Sequence, residues 1–438
     1  MLSNKGYTLI EVVIAAFILG TIVVGLFSLI TLTLRASHDG QRKIVATALA
    51  NEKMEQVRNL PYNSVGTSGG IPFGTIPQSQ QIVRNGDTYT VATDIRYIDD
   101  SYDGTASSTP RDTVNTDYKQ VRVEVSWVSN IPSRSVLLIT DIVPSGIEGG
   151  DSLGTLIFQA LNSAGVGVAN ATVNLTNSSV SPAINLTTTT NSTGQIVVPG
   201  LPVSAGTYQV SVTKSGYTTE QTYPSSASFT PDVDHSALTA IAGDVTNKTF
   251  AIDTASSLTI KTVDATNTVL PNIAYSITGT KKIGTNATNQ PVYLFSHQDS
   301  TDASGSLSYQ GVVWDSYVFA IDGAVTGYDI QETSSVLPLV IAPGTDTTLA
   351  VILAPHTPLS LHMYVVDASN NPVVGAAVAI SLGGFNQTLT TGTTGQVFFS
   401  NLATGGDYSA AITASGYQAY TSTVTVDGNN QNTASLAL

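Results

Sequence analysis

The pattern of apolar and polar positions divides the chain into three stretches with different periods. Residues 12–34 form an unbroken apolar run, VVIAAFILGTIVVGLFSLITLTL, with no charge in it. At about 1.5 Å per residue this run is long enough to cross a bilayer core of about 30 Å. The pattern then turns amphipathic. Ala46, Ala50, Met54 and Val57 recur at helical spacing beside Leu49 and Leu60, while Arg42, Lys43, Glu52, Lys53 and Glu55 take the other positions. Pro61 ends it. One helix over residues 7–60 is expected, apolar all round at first and one-faced afterwards.

A period of two follows. Tyr89, Val91, Ile95 and Tyr97 fall on alternate positions after the turn Asn85-Gly86-Asp87, and Val121, Val123, Val125 and Trp127 alternate in VRVEVSW. Val136-Leu137-Leu138-Ile139 continues after a short turn. A small antiparallel sheet over residues 61–148, packed on the helix stripe, is the reading of this stretch.

After residue 150 the helical pattern disappears and a repeat emerges. Each unit opens on an apolar strand at Leu156, Leu258 or Leu361. A strand led by Gly194, Gly305 or Gly395 comes next, then a strand with Tyr208, Tyr317 or Tyr408, then Gly216-Tyr217, Gly327-Tyr328 or Gly416-Tyr417. The spacing from the first glycine to the second is 22, 22 and 21 residues. Short alternating strands punctuated by Gly, Asn and Pro predict three β-sandwiches, over 151–253, 256–355 and 358–438. The leading glycines are expected in turns with positive φ, and the Gly-Tyr pairs as a turn plus a core or rim aromatic.

Composition narrows the function. The chain of 438 residues carries 17 Lys and Arg against 31 Asp and Glu, a net charge of −14, and no Lys or Arg follows Lys282. A nucleic-acid partner is not expected, because such binding rests on clustered cations. There is no cysteine, so disulfides, cysteine metal sites and thiol catalysis are excluded. The five histidines are scattered, and neither Asp232-Val-Asp234-His235 nor His297-Gln-Asp299 comes with a nucleophile elbow or a phosphate loop. No enzyme is expected.

The chemistry concentrates at the N-terminus, Lys5-Gly6-Tyr7-Thr8-Leu9-Ile10-Glu11. A carboxylate at the edge of an apolar span is costly unless it finds a partner. A secretory signal peptide would have a shorter apolar core and a small-residue cleavage site, so a plain single-pass anchor is the competing reading. The stretch resembles the type IV prepilin and pseudopilin signature. That resemblance implies a leader over residues 1–6, cleavage after Gly6 by a prepilin peptidase, and an N-methylated Tyr7. Glu11 would then neutralise the amino terminus of a neighbouring pilin subunit. Many major pilins carry a proline in mid-helix; Ser28 stands there instead, which favours a minor pilin or pseudopilin. The third repeat, with Asp367, Pro372, Ala376, Val378, Gly395 and Tyr408, resembles the carboxypeptidase regulatory-like, transthyretin-type sandwiches.

The fold class expected is therefore a long helix on a small pilin-like sheet followed by three immunoglobulin- or transthyretin-like sandwiches. The protein would sit single-pass in the inner or cytoplasmic membrane, then in an extracellular filament or at the cell surface. The repeats, at about 35–45 Å each, would give an adhesive or stalk-like reach on the order of 100 Å toward an unidentified surface ligand. The alternatives are a membrane-tethered surface protein and a pseudopilin of a secretion or DNA-uptake machine. Two side questions arise. Asp99, Asp100 and Asp103, with Asp112 and Asp117 further on, form either a calcium loop or a solvated polar one. Lys261, on the first strand of the second repeat, leaves open a Lys–Asn crosslink in that repeat alone.

Overall fold

The computed structural model describes residues 9–102, 104–109, 112, 114–128, 134–144 and 153–438, and of Ala15 the backbone only. Helix α1 (Leu9–Arg58) runs unbroken, and a 3-10 turn, Tyr62–Ser64, follows Pro61. The missing mid-helix proline leaves the ladder intact: Ser28 Oγ hydrogen-bonds back to the Val24 carbonyl at 2.9 Å. The two halves of α1 differ sharply. Ala46, Leu49, Ala50, Met54 and Val57 are buried, whereas the large apolar side chains from Leu9 to Leu34 are all exposed.

The buried stripe packs on a four-stranded antiparallel sheet in sequential order: β1 (Ser79–Arg84), β2 (Asp87–Ile98), β3 (Tyr118–Trp127) and β4 (Arg134–Ile142). The expected alternation holds, with Tyr89, Val91, Ile95, Val121, Val123, Val125 and Trp127 facing the helix. Tyr97 departs from it. Its ring packs on the core of the first sandwich, so close to Gly200 that a Cβ there would lie 2.4 Å from the ring.

Each sandwich has the same plan. The opening strand lies between the glycine-led strand, antiparallel, and the closing strand of the unit, parallel. The trios are Leu153–Leu161 with Gln195–Pro202 and Val245–Ala251, Ser256–Asp264 with Ser306–Val312 and Asp346–Pro355, and Ser360–Asp367 with Gln396–Phe399 and Asn429–Leu436. The tyrosine strand sits inside the facing sheet each time. Because first and last strands run parallel, the chain enters at one pole of a unit and leaves at the other.

The repeated residues have repeated jobs. Tyr208, Tyr317 and Tyr408 bury their rings and each donates its hydroxyl to a backbone carbonyl just upstream, of Pro202, Val313 and Thr404, at 2.7, 2.5 and 2.6 Å. Gly194, Gly305 and Gly395 have φ of 79°, 69° and 69°, and a Cβ would collide with the turn that closes on them. Asn162, Asp264 and Asp367 end the opening strands, and each accepts from the backbone N–H groups two and four residues on, fixing the turn. Lys261 is exposed, which leaves it without the burial that a Lys–Asn crosslink in this strand would need.

Neighbouring units are fastened by more than their linkers. Thr155 Oγ1 meets Asn115 Oδ1 at 3.1 Å between the first sandwich and the α1 domain. A segment of the first sandwich, Phe229–Pro231, adds an antiparallel strand to the Lys282–Asn286 and Pro291–Tyr293 hairpin of the second. His235 anchors the root of that segment, with Nδ1 2.7 Å from Asp232 Oδ1 and Nε2 3.3 Å from Glu220 Oε1.

Removing one tyrosine hydroxyl isolates its contribution. Tyr408→Phe should destabilise the third sandwich by about 0.5–1.5 kcal/mol, because a part-buried hydrogen bond to the Thr404 carbonyl is lost while the ring is kept. Calorimetry of the full chain in detergent should show the transition of that unit at lower temperature with the others unmoved.

Candidate functional site

Two regions carry chemistry in the N-terminal part. Gly6 and Tyr7 lie outside the described residues. Glu11 falls in the first described turn of α1 and is exposed. Past it, α1 is long and apolar enough to cross a membrane, and none of its most apolar window is buried in the chain's own fold.

The second region is the loop between β2 and β3. It brings together Asp99, Asp112 and Asp117, which offer carboxylate oxygens within 4.8 Å of one another. Of the five acids named from the sequence, these are the three that converge among the described residues. Asp100 turns its carboxylate to the N–H of Tyr102 at 2.7 Å, and gives its own N–H to Asp117 Oδ2 at 2.6 Å, so it braces the cluster. Asp103 lies outside the described residues. The physical reason is that neighbours in a tight turn diverge, whereas the returning limb of the loop brings Asp112 and Asp117 back across Asp99. Asp99 Oδ2 also takes the Ala106 N–H at 2.8 Å, and Asp112 Oδ1 the Val114 N–H at 2.9 Å. Asp112 Oδ2 is buried with no hydrogen-bond partner. Three converging carboxylates with one such oxygen fit a hard divalent cation, with carbonyls and water completing the six to eight oxygens calcium takes.

Lys119, two residues beyond Asp117, is 1% exposed. Its Nζ donates to the carbonyls of Tyr62 and Val65, both at 2.8 Å, and lies 4.5 Å from the centre of the Tyr62 ring. It thereby ties the end of α1 to β3. Burial pushes its pKa down to about 8.

The sequence carries two recognisable family segments. Residues 1–27 match the prokaryotic N-terminal methylation motif, the processing signal of pilin-type subunits. Residues 360–438 match the carboxypeptidase regulatory-like domain, which coincides with the third sandwich. No curated protein matches the chain. Among solved structures, the TIE protein of Bacillus anthracis is similar at 16% identity over 82% of this chain and 73% of its own, with a TM-score of 0.19. A streptococcal ancillary pilin is similar at 12% identity over 65% of this chain and 98% of its own, with a TM-score of 0.18. The shaft pilin SpaA of Lactobacillus rhamnosus GG is similar at 13% identity over 47% of this chain and 100% of its own, again at 0.18. Likeness that low assigns no function. The N-terminal motif makes the chain pilin-like and points to a structural subunit rather than an enzyme, and its apolar helix fits membrane association and assembly with other pilin subunits.

The lowered pKa of Lys119 has a definite sign. Above about pH 8 the folded protein releases a proton that the unfolded chain keeps until about 10.5, so stability rises with pH across that window. Lys119→Met should remove this rise, as read from denaturant midpoints between pH 7.5 and 10.5.

Proposed function

We propose that the chain is a minor pilin-like filament subunit whose three sandwiches form a stalk or adhesive extension. The observation that carries this reading is the division of α1. One half is spent on the subunit's own sheet and the other, headed by Glu11, presents bare apolar side chains. Water is a poor solvent for that surface; a bilayer before assembly, and the helices of other subunits after it, are good ones. Cleavage after Gly6 would create a new amino terminus at Tyr7, four residues from Glu11. A neighbour's α-ammonium is the natural partner for that carboxylate, since opposite charges among packed helices are tolerable as a pair. The same reading assigns calcium to the Asp99, Asp112 and Asp117 cluster, where it would fix the loop between β2 and β3.

Mass spectrometry of the N-terminal peptide from sheared surface filaments tests the assignment. It should begin at methylated Tyr7, and Glu11→Ala should leave the subunit in the membrane and absent from the filament fraction. An intact N-terminus found only in membranes, with location indifferent to Glu11→Ala, would instead make the protein a tethered surface stalk. For the cation, millimolar calcium should raise the unfolding temperature of the full chain in detergent. Asp112→Asn should abolish that rise.

A further inference from the structure

The junction of the second and third sandwiches holds a polar cluster in a place where water is excluded. Thr333 ends the strand Tyr328–Thr333 of the second unit; Gln396, His362 and Tyr364 belong to the third. Their exposures are 0%, 6%, 2% and 2%. The Gln396 carboxamide is held on all sides. Its Oε1 receives the Thr333 N–H at 2.8 Å and lies 2.9 Å from His362 Nε2, and its Nε2 donates to the Thr333 carbonyl at 2.7 Å. Thr333 Oγ1 stands 3.2 Å from the same Oε1, 3.0 Å from the Tyr364 hydroxyl, and 2.6 Å from the Ser335 carbonyl.

Registers of the other repeats supply an internal comparison. The cross-strand pair Tyr364 and Gln396 corresponds to Gln159 and Gln195 in the first unit and to Lys261 and Ser306 in the second. None of those four is buried, and His362 is matched by Ile157 and Thr259. Only the third opening strand buries its outer face, so the cluster is a feature of this junction and not of the sandwich plan.

We propose that this cluster is the site of an intramolecular ester crosslink between the Thr333 hydroxyl and the Gln396 carboxamide, formed by the folded chain itself. In the step, Thr333 Oγ1 bonds to Gln396 Cδ and the Cδ–Nε2 bond breaks. The hydroxyl proton goes to the departing nitrogen, which leaves as ammonia. The reaction is redox-neutral and needs no co-reactant. The geometry supplies two of the things such a reaction requires, proximity and stabilisation of the developing charge. The Thr333 N–H and His362 Nε2–H converge on Oε1, where negative charge develops, as donors of an oxyanion hole do. Burial pushes the His362 pKa down to about 4, so the ring is a neutral donor at ordinary pH. The Thr333 hydroxyl is held 3.2 Å from the carboxamide oxygen in advance, which lowers the entropic cost of its encounter with the carbonyl group. Ammonia is protonated once it reaches water, and exclusion of water from the site protects the product.

The bond would join residues 63 apart across a junction between domains. It would therefore carry tension from the third sandwich to the second without loading the interface hydrogen bonds.

The test uses the sequence's own gaps. Trypsin has no site after Lys282, so denatured full-length protein yields residues 283–438 in one piece. That fragment should be lighter than its sequence by one ammonia. Cleavage at acidic residues, which include Glu332, Asp346, Asp367 and Asp407, should then give the Thr333 and Gln396 peptides joined, and alkaline hydroxylamine should separate them. Thr333→Ser should keep the link, Thr333→Val should lose it, and His362→Phe should leave most of the chain unlinked. A wild-type fragment of unmodified mass, or a deficit mapping elsewhere, overturns the proposal; this outcome does not depend on any variant folding and leaves the pilin reading untouched.

Discussion

Parallel pairing of the first and last strands of each sandwich is the constraint on which the shape of this protein depends. Had those strands been antiparallel neighbours, each unit would return the chain to the pole where it entered, and successive units would fold back on one another. In the observed registers, such as Leu258 opposite Thr347 and Leu361 opposite Asn430, entry and exit lie at opposite poles. Parallel ladders are slightly weaker per residue and need a long crossover. Here the crossover is the rest of the domain, and the opening strand is shielded on both edges. The central pairing is also the most non-local one, so a unit cannot acquire its plan until nearly all its residues are available.

That geometry gives meaning to the other end of the molecule. Helix α1 does two unrelated things along one axis. Its C-terminal half obeys ordinary globular packing on β2 to β4. Its N-terminal half obeys the rules of a different solvent, with large apolar groups bare on every face. The continuity of the helix past Ser28 matters for this reason, since a break would uncouple the exposed apolar half from the half packed on the sheet.

Much of this was legible in the residues because each signal had one physical cause. The helix, the alternation of β2 and β3, and the repeated Gly and Tyr positions follow from periodicity, positive φ and a buried ring with a hydroxyl to satisfy. What escaped was set by tertiary contact. β1 has a burial pattern of mostly exposed and half-exposed residues, so Ser79–Arg84 shows no apolar alternation to read. Phe229–Pro231 is a strand only because the second sandwich offers an edge. The acidic loop was seen, but its grouping was not, because Asp112 and Asp117 approach Asp99 through a chain reversal that spacing does not encode. One signal was present and unread. The opening strand of the third unit, from Ser360 to Asp367, places His362 and Tyr364 where its counterparts place half-exposed or exposed residues, the mark of a strand covered on both faces.

The scarcity of charge ties these observations together. With no Lys or Arg after Lys282, the last two sandwiches have almost no salt bridges to draw on, and exposed ion pairs would add little in any case. The junctions use neutral chemistry instead, and each uses a different kind. An aromatic ring seats against Gly200 at the first, a borrowed strand crosses the second, and a buried amide–hydroxyl–imidazole cluster closes the third. Such contacts are short-ranged and directional, and because they are uncharged they are little affected by salt. The deepest of them is also the one where water is most completely excluded, which is the condition under which a hydrogen-bonded contact can be converted into a covalent one.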